Sequence, residues 1–190
     1  MASIRGGIAF LNQGSANSCR FALEDLQGQN TGMSIRILFV CMGNICRSPA
    51  AEGVFIHLSR ERGIDHVFEV DSAGTGGWHA GEPPDHRSMA EGRRRGIRLP
   101  GTARQVRPAD WTDFDMIVCM DRENHSNLLR AGAPEEKLRM LLDWHPEQAH
   151  GDVPDPYYGG EDGFVHMYDL IETACDRLLD HLLEEHGHVE

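Results

Sequence analysis

The run Ile35-Arg-Ile-Leu-Phe-Val40, ending on Cys41 and followed within six residues by Arg47-Ser48-Pro49, constrains this chain more than any other stretch. Its near-continuous apolarity suits a strand buried on both faces of a parallel sheet rather than one with a solvated face. Ser48 is suited to cap a helix and Pro49 to occupy its first turn. Ala51, Val54, Phe55 and Leu58 then recur at helical spacing. The residues between form a strand-to-helix loop. Its backbone N–H groups and the positive end of the helix dipole converge on one small concavity suited to an oxyanion.

The same features favour the thiolate of Cys41, which gains from the N–H donors, the dipole and the fixed charge of Arg47. Arg47 adds a planar fork able to grip two phosphoryl oxygens, a geometry lysine lacks. Gly43 and Asn44 fit a loop that needs positive φ or a tight backbone path. Alone, Cys41 reads as a buried, inert thiol, since free cysteine is among the most buried residue types. The whole Cys-x5-Arg-Ser-Pro string between strand and helix reads instead as a nucleophile set in a phosphate cradle.

This string resembles the active-site loop of the low-molecular-weight protein tyrosine phosphatases. Further matches follow in the family's order: Asp71-Ser72-Ala73-Gly74-Thr75, Gly81-Glu82-Pro83-Pro84-Asp85, Ala103-Arg104-Gln105-Val106, Cys119-Met120-Asp121 and Asp155-Pro156-Tyr157-Tyr158-Gly159. Cys-x5-Arg by itself is shared with unrelated phosphatase folds, whereas its combination with a distant Asp-Pro-Tyr-Tyr is specific. The resemblance runs from Met33 to about His186. It implies a protein-tyrosine phosphatase that works through a phosphocysteine, with Cys41 as nucleophile, Arg47 as phosphate clamp and Asp155 as general acid and base. Met42, Gly43, Asn44, Ile45, Cys46 and Ser48 are then expected to contact substrate. Ser72 is expected to brace Asn44. A second brace in the family, a histidine two residues before Ala-Arg-Gln, is replaced here by Gly101.

From local sequence alone Asp155 reads as an Asx-turn residue before proline, with Asp152 as its nearby competitor for the acid role. Both lie in the long loop 151–160, and loops over a rigid sheet commonly carry such groups. Trp78, Tyr157 and Tyr158 also fall in loops, where aromatic walls would make a slot suited to a phosphorylated phenol. Relatives acting on phosphoarginine carry Thr at the position of Ile45 and lack the double tyrosine. Arsenate reductases sharing this loop require two more cysteines flanking a mobile redox helix, and none occurs between Trp78 and Leu99. Cys46, in the same loop as Cys41, is either a resolving thiol for an oxidised Cys41 or a small residue that fits there.

Strands are expected at about 35–41, 67–72, 114–120 and 137–142, and helices at about 49–62, 85–97, 121–131 and 163–186. The alternation predicts an α/β domain with a doubly wound, four-stranded parallel sheet, helices on both faces and flavodoxin-like topology, with Cys41 at the switch point. In the last helix Ile171, Ala174, Cys175, Leu178, Leu182 and Leu183 share a face, so Cys175, like Cys119 in its strand, is read as core. The domain is expected to span 33–190. Residues 1–32, rich in Gly, Asn, Gln and Ser, read as a disordered or non-native extension ahead of Met33, with no secretory signal and no evident role for Cys19.

No stretch has the apolar length of a membrane span. The five cysteines show no disulfide framework or zinc pairing, which points to a reducing cytoplasm. The eleven histidines show no ligand spacing with carboxylates, so neither metal nor other cofactor is implied. The formal charge of −12 is concentrated in 143–190, which holds 13 acidic residues and one arginine. By contrast 87–107 holds seven arginines and one glutamate, read as a solvated face in preference to a steering rim. It lacks interleaved aromatics, so nucleic acid is not an expected partner. The implied partner is a phosphotyrosine-bearing protein, a tyrosine kinase being one candidate, and the protein itself is expected to be a monomer or weak dimer.

Overall fold

The structure, a computed structural model, describes residues 34–186; the segment 1–32 and its Cys19 lie outside the described residues. Strand β1, Ile35–Cys41, pairs in parallel with β2, Phe68–Gly74, on one side and with β3, Met116–Cys119, on the other. Strand β4, Leu138–Met140, extends the sheet beyond β3, giving the order β2-β1-β3-β4. Helices α1 (Arg47–Glu61), α2 (His86–Arg94), α3 (Asp110–Asp113), α4 (Arg122–Arg130) and α5 (Glu161–Glu185) complete the domain.

The alternation of side chains along β1 explains its apolar run. Ile37, Phe39 and Cys41 face a core shared with α1 and α5, while Leu38 and Val40 face a second core with Ile117, Cys119, Leu128 and Leu138. Both faces of the strand are therefore dry, as the sequence requires, and helices cover both faces of the sheet. Phe55 of α1 packs between Phe39 and Phe68, with ring centroids 5.9 and 5.1 Å away. Burying each such side chain contributes about 1.5–3 kcal/mol, which holds the N-terminus of α1 under the end of β1. Cys119 and Cys175 are core residues, and burial pushes the Cys119 thiol up to about 12.

Several element ends differ from expectation. Helix α1 begins at Arg47, one residue before Ser48, and has no side-chain cap; the Ser48 hydroxyl is committed elsewhere. Helix α2 stops at Arg94 rather than 97 because Gly96 takes φ 76°. The Gly96 and Ile97 N–H groups then donate to Arg93 and Gly92 carbonyls at 3.2 and 2.8 Å, closing a Schellman turn. Strand β4 ends at Met140, and a 3-10 turn, Leu141–Trp144, then places Leu141 and Leu142 in the first core. The short α3, which the sequence reading did not anticipate, trims the start of β3 to Met116. No described helix is long and apolar enough to cross a membrane.

Candidate active site

The loop 42–46 leaves the carboxyl end of β1, the strand flanked by β2 and β3, where an open α/β sheet changes winding direction. Its curl rests on close backbone approaches. Thr75 and Gly76 donate to the Cys41 and Met42 carbonyls at 2.9 Å each, and a Cβ on Gly74 would lie 2.7 Å from the Met42 oxygen. Asn44 adopts φ 55°, whereas Gly43 does not have positive φ. Gly43 serves the tight path instead, since a Cβ there would sit 3.2 Å from Cδ2 of His79.

Curling brings donors onto the sulfur. The Asn44 N–H points at Cys41 Sγ from 3.2 Å, and Ser48 Oγ lies 3.0 Å from it. The direction of the second bond follows from counting hydrogens. Asn44 Oδ1 accepts the Arg104 N–H at 2.8 Å, so its Nδ2 must be the group facing Ser48 and Ser72, at 2.9 Å each. Ser48 Oγ, already accepting, directs its own hydrogen to the sulfur or to the Ala73 carbonyl at 3.3 Å. Ser72 likewise sends its hydrogen to Glu52 Oε2 at 2.7 Å. Ser72 thus lies against Asn44, and the lost histidine at Gly101 leaves the Asn44 side chain with three partners.

Arg47 is 3% exposed. Its Nη1 donates to Asp121 Oδ2 at 2.5 Å and to the Val153 carbonyl at 3.3 Å, and its Nη2 to Asp155 Oδ2 at 2.6 Å. Burial opposes the guanidinium charge, but Cys41, Asp155 and Asp121 outweigh it and keep the group firmly protonated. Asp155 also accepts the Tyr157 N–H at 3.0 Å, so the Asx turn read from local sequence coexists with the ion pair. Asp152 is turned away and pairs with the backbone and side chain of Arg122.

Above Cys41 and Arg47 opens a cavity of about 470 Å³, with Asp155 on its edge and Met42, Gly43, Ile45 and Cys46 in its floor. Trp78, Tyr157 and Tyr158 form its walls. These walls stand free, Trp78 being 73% and Tyr158 96% exposed, with the two tyrosine rings edge to face at 5.0 Å. Asn44 and Ser48, expected among the substrate contacts, do not line this cavity; both are buried behind the loop, in the network that holds the sulfur. Cys46 is buried, and desolvation followed by the charge of Asp85 pushes its thiol well up.

Two residues, His79 and Glu52, escaped the sequence reading, and a third, Asp121, was matched in a motif without a role. Asp121 grips Arg47 while its Oδ1 caps α4 through the Asn124 N–H at 2.6 Å; the Cys119-Met120-Asp121 match marked its position but not this partner. His79 lines the cavity beside Trp78, held by Glu82 Oε2 at 2.7 Å. Glu52 is buried at the end of the Asn44 network, without a local pattern to mark it. Of the seven arginines in 87–107, Arg87, Arg94, Arg95, Arg104 and Arg107 have carboxylate partners, and Arg87, Arg95 and Arg104 are largely covered. No cluster of three or more His, Cys, Asp or Glu suited to a metal occurs among the described residues.

The sequence matches the family described as low molecular weight phosphotyrosine protein phosphatase over residues 36–188. A low molecular weight protein-tyrosine-phosphatase of Streptomyces coelicolor is 44% identical over 159 residues, covering 80% of this chain and 96% of that protein. The crystal structure of YfkJ from Bacillus subtilis is 42% identical and superposes with TM-score 0.77 over 82% of this chain and 99% of that one. An arginine phosphatase of Drosophila is 32% identical, with TM-score 0.73 over 78% of this chain and 98% of its own. Loop, sheet and comparisons agree: this chain belongs to the low molecular weight phosphotyrosine protein phosphatase family.

Proposed function

We propose that the protein hydrolyses phosphotyrosine and aryl phosphate monoesters by two displacements at phosphorus. The observation that carries this reading is the convergence of Cys41, Arg47 and Asp155 on one aromatic-walled cavity. In the first step the Cys41 thiolate forms a bond to phosphorus as the bond to the phenolic oxygen breaks, and Asp155 gives that oxygen its proton. Arg47 and the loop N–H groups take up charge on the equatorial oxygens, so positioning and preorganised electrostatics supply most of the acceleration. Because Asp155 accepts from Arg47 Nη2, an arriving phosphate competes for that donor and releases the carboxyl for proton transfer. In the second step Asp155 takes a proton from water, water attacks phosphorus, and the sulfur departs toward the Ser48 hydroxyl.

Phosphotyrosine is favoured over phosphoarginine by Ile45 in the floor and by the paired tyrosines in the wall, which suit a flat phenol ring. The free state of all four described cysteines suits a reducing cytoplasm. The partner is a phosphotyrosine-bearing protein, a tyrosine kinase being one candidate, and the enzyme acts as a monomer or weak dimer. The test is turnover of p-nitrophenyl phosphate and a phosphotyrosine peptide. Cys41→Ser should abolish it, and EDTA should leave wild-type activity unchanged. A serine variant as active as wild type, or activity lost in EDTA, would overturn the thiolate mechanism.

A further inference from the structure

Glu52 is, among the described residues, the carboxyl tied to the phosphate loop from behind. It projects from the second turn of α1 and is 7% exposed. Its Oε2 accepts from Ser72 Oγ at 2.7 Å, Ser72 accepts from Asn44 Nδ2 at 2.9 Å, and Asn44 donates both to Ser48 and, through its backbone N–H, to Cys41 Sγ. The hydrogens from Asn44 to Ser72 and from Ser72 to Glu52 are directed, since the Asn44 amide is oriented by the Arg104 N–H. Asn44 is therefore the donor at the centre of the network, with Glu52 the terminal acceptor of one branch and the nucleophilic sulfur that of the other.

Among the described residues no cation pairs with that acceptor directly. The cleft beside it, about 10 Å³ and so large enough for one water, is lined by Asn44, Ser72, Gly101, Thr102 and prolines, with Asp71 as its other charged group. The positive group nearest in effect is Arg104, whose guanidinium is already shared between Asp71 at 2.8 Å and Asp110 at 2.9 Å. Burial, the leading cause, pushes the Glu52 carboxyl up to about 7; Ser72 and Arg104 pull it down, and Asp71 raises it further. Since the Ser72 hydrogen bond favours the ionised carboxyl, linkage demands that ionisation strengthen that bond in return. A protonated carboxyl is a weaker acceptor, and its own O–H competes with Asn44 for the Ser72 oxygen.

We propose that Glu52 is a pH-responsive positioning residue for the phosphate loop, bracing Ser72 and through it Asn44 more firmly when ionised than when protonated. Its kinetic consequence rests on Cys41 being the nucleophile; its structural consequence does not. Glutamine reproduces the neutral acceptor, so Glu52→Gln behaves as a permanently protonated form.

The experiment has two arms. In the wild-type protein, carboxyl-carbon NMR follows Glu52 from pH 5 to 9 alongside the side-chain amide signals of Asn44. A common midpoint near 7 is expected for both, with the Asn44 signals static in Glu52→Gln. In the kinetic arm, the wild-type to Glu52→Gln ratio of kcat for p-nitrophenyl phosphate should rise about tenfold between pH 6 and pH 8, about what weakening one charge-assisted hydrogen bond produces. A Glu52 midpoint at the ordinary glutamate value, or Asn44 signals indifferent to it, overturns the proposal without reference to catalysis. A kinetic ratio flat in pH, with both NMR midpoints present, removes the effect on turnover, and so overturns the positioning role. Loss of all activity in Cys41-intact wild type would instead refute the phosphatase reading and leave the NMR arm to decide.

Discussion

Nη1 of Arg47 donates to Oδ2 of Asp121 at 2.5 Å, while the other oxygen of that carboxylate accepts the Asn124 N–H at 2.6 Å. One aspartate thus joins the phosphate clamp to the start of the helix that follows β3. The guanidinium is held at Nη1 by Asp121 and the Val153 carbonyl, leaving Nη2 as the arm shared with Asp155.

Asp121→Ala should weaken inhibition by inorganic phosphate by about tenfold, the value of one charge-assisted hydrogen bond that orients the fork. It should also destabilise the fold by about 1 kcal/mol through loss of the cap. Asp121→Asn retains a cap and separates the two effects. A lowered melting temperature with unchanged phosphate inhibition in Asp121→Ala would reduce Asp121 to a helix cap.

Asp155→Ala should slow poor leaving groups by about 10²–10⁴ and a nitrophenolate much less, because only the former needs a proton as it departs. Comparing kcat for aryl phosphates of graded leaving-group acidity reads this directly. Equal losses across the series would move the acid elsewhere, though Asp152 is tied to Arg122 and lies off the cavity.

The strand order, both cores and the position of Cys41 were legible because β1 is apolar on both faces and α1 keeps a helical stripe through Ala51, Val54 and Phe55. Such patterns report packing that spans many residues. The start of α1 was misread at Ser48 because a hydroxyl favoured as a cap locally was taken by a tertiary network involving Ser72 and Asn44. The role of Asp121 and the place of Glu52 were not read for the same reason, their partners lying 74 and 20 residues away. The end of α2 was visible in principle, since Gly96 was the residue able to take φ 76°.

Deleting residues 1–32 should leave folding and catalysis intact. Strand β1 starts at Ile35 in register with Phe68, and among the described residues α1 and α5 already cover one face of the sheet and Leu128 of α4 the other. We propose on this basis that 33–190 is the phosphatase domain. Melting temperature and kcat/KM of the two chains should agree within error; a large drop in either on deletion would assign the extension a part in the domain.

The final prediction concerns Cys46, which lines the cavity with Cys41 and is buried. Peroxide that reaches the Cys41 thiolate through the cavity converts it to a sulfenic acid, and a second thiol can trap that as a disulfide before over-oxidation becomes irreversible. The trap must itself be a thiolate to attack, and desolvation together with Asp85 pushes the Cys46 thiol up. Raising the pH therefore increases the fraction able to attack, so any protection by Cys46 should be weak at pH 6.5 and stronger at pH 8.5. Closure also requires the two Cα atoms to come within about 7 Å, which a curled loop permits. Wild type and Cys46→Ala should be treated with peroxide at each pH, then reduced and assayed. Wild type should recover more activity than the variant at pH 8.5, with a Cys41 to Cys46 disulfide in the peptide map. Equal recovery at both pH values without that disulfide would leave Cys46 as a packing residue of the loop.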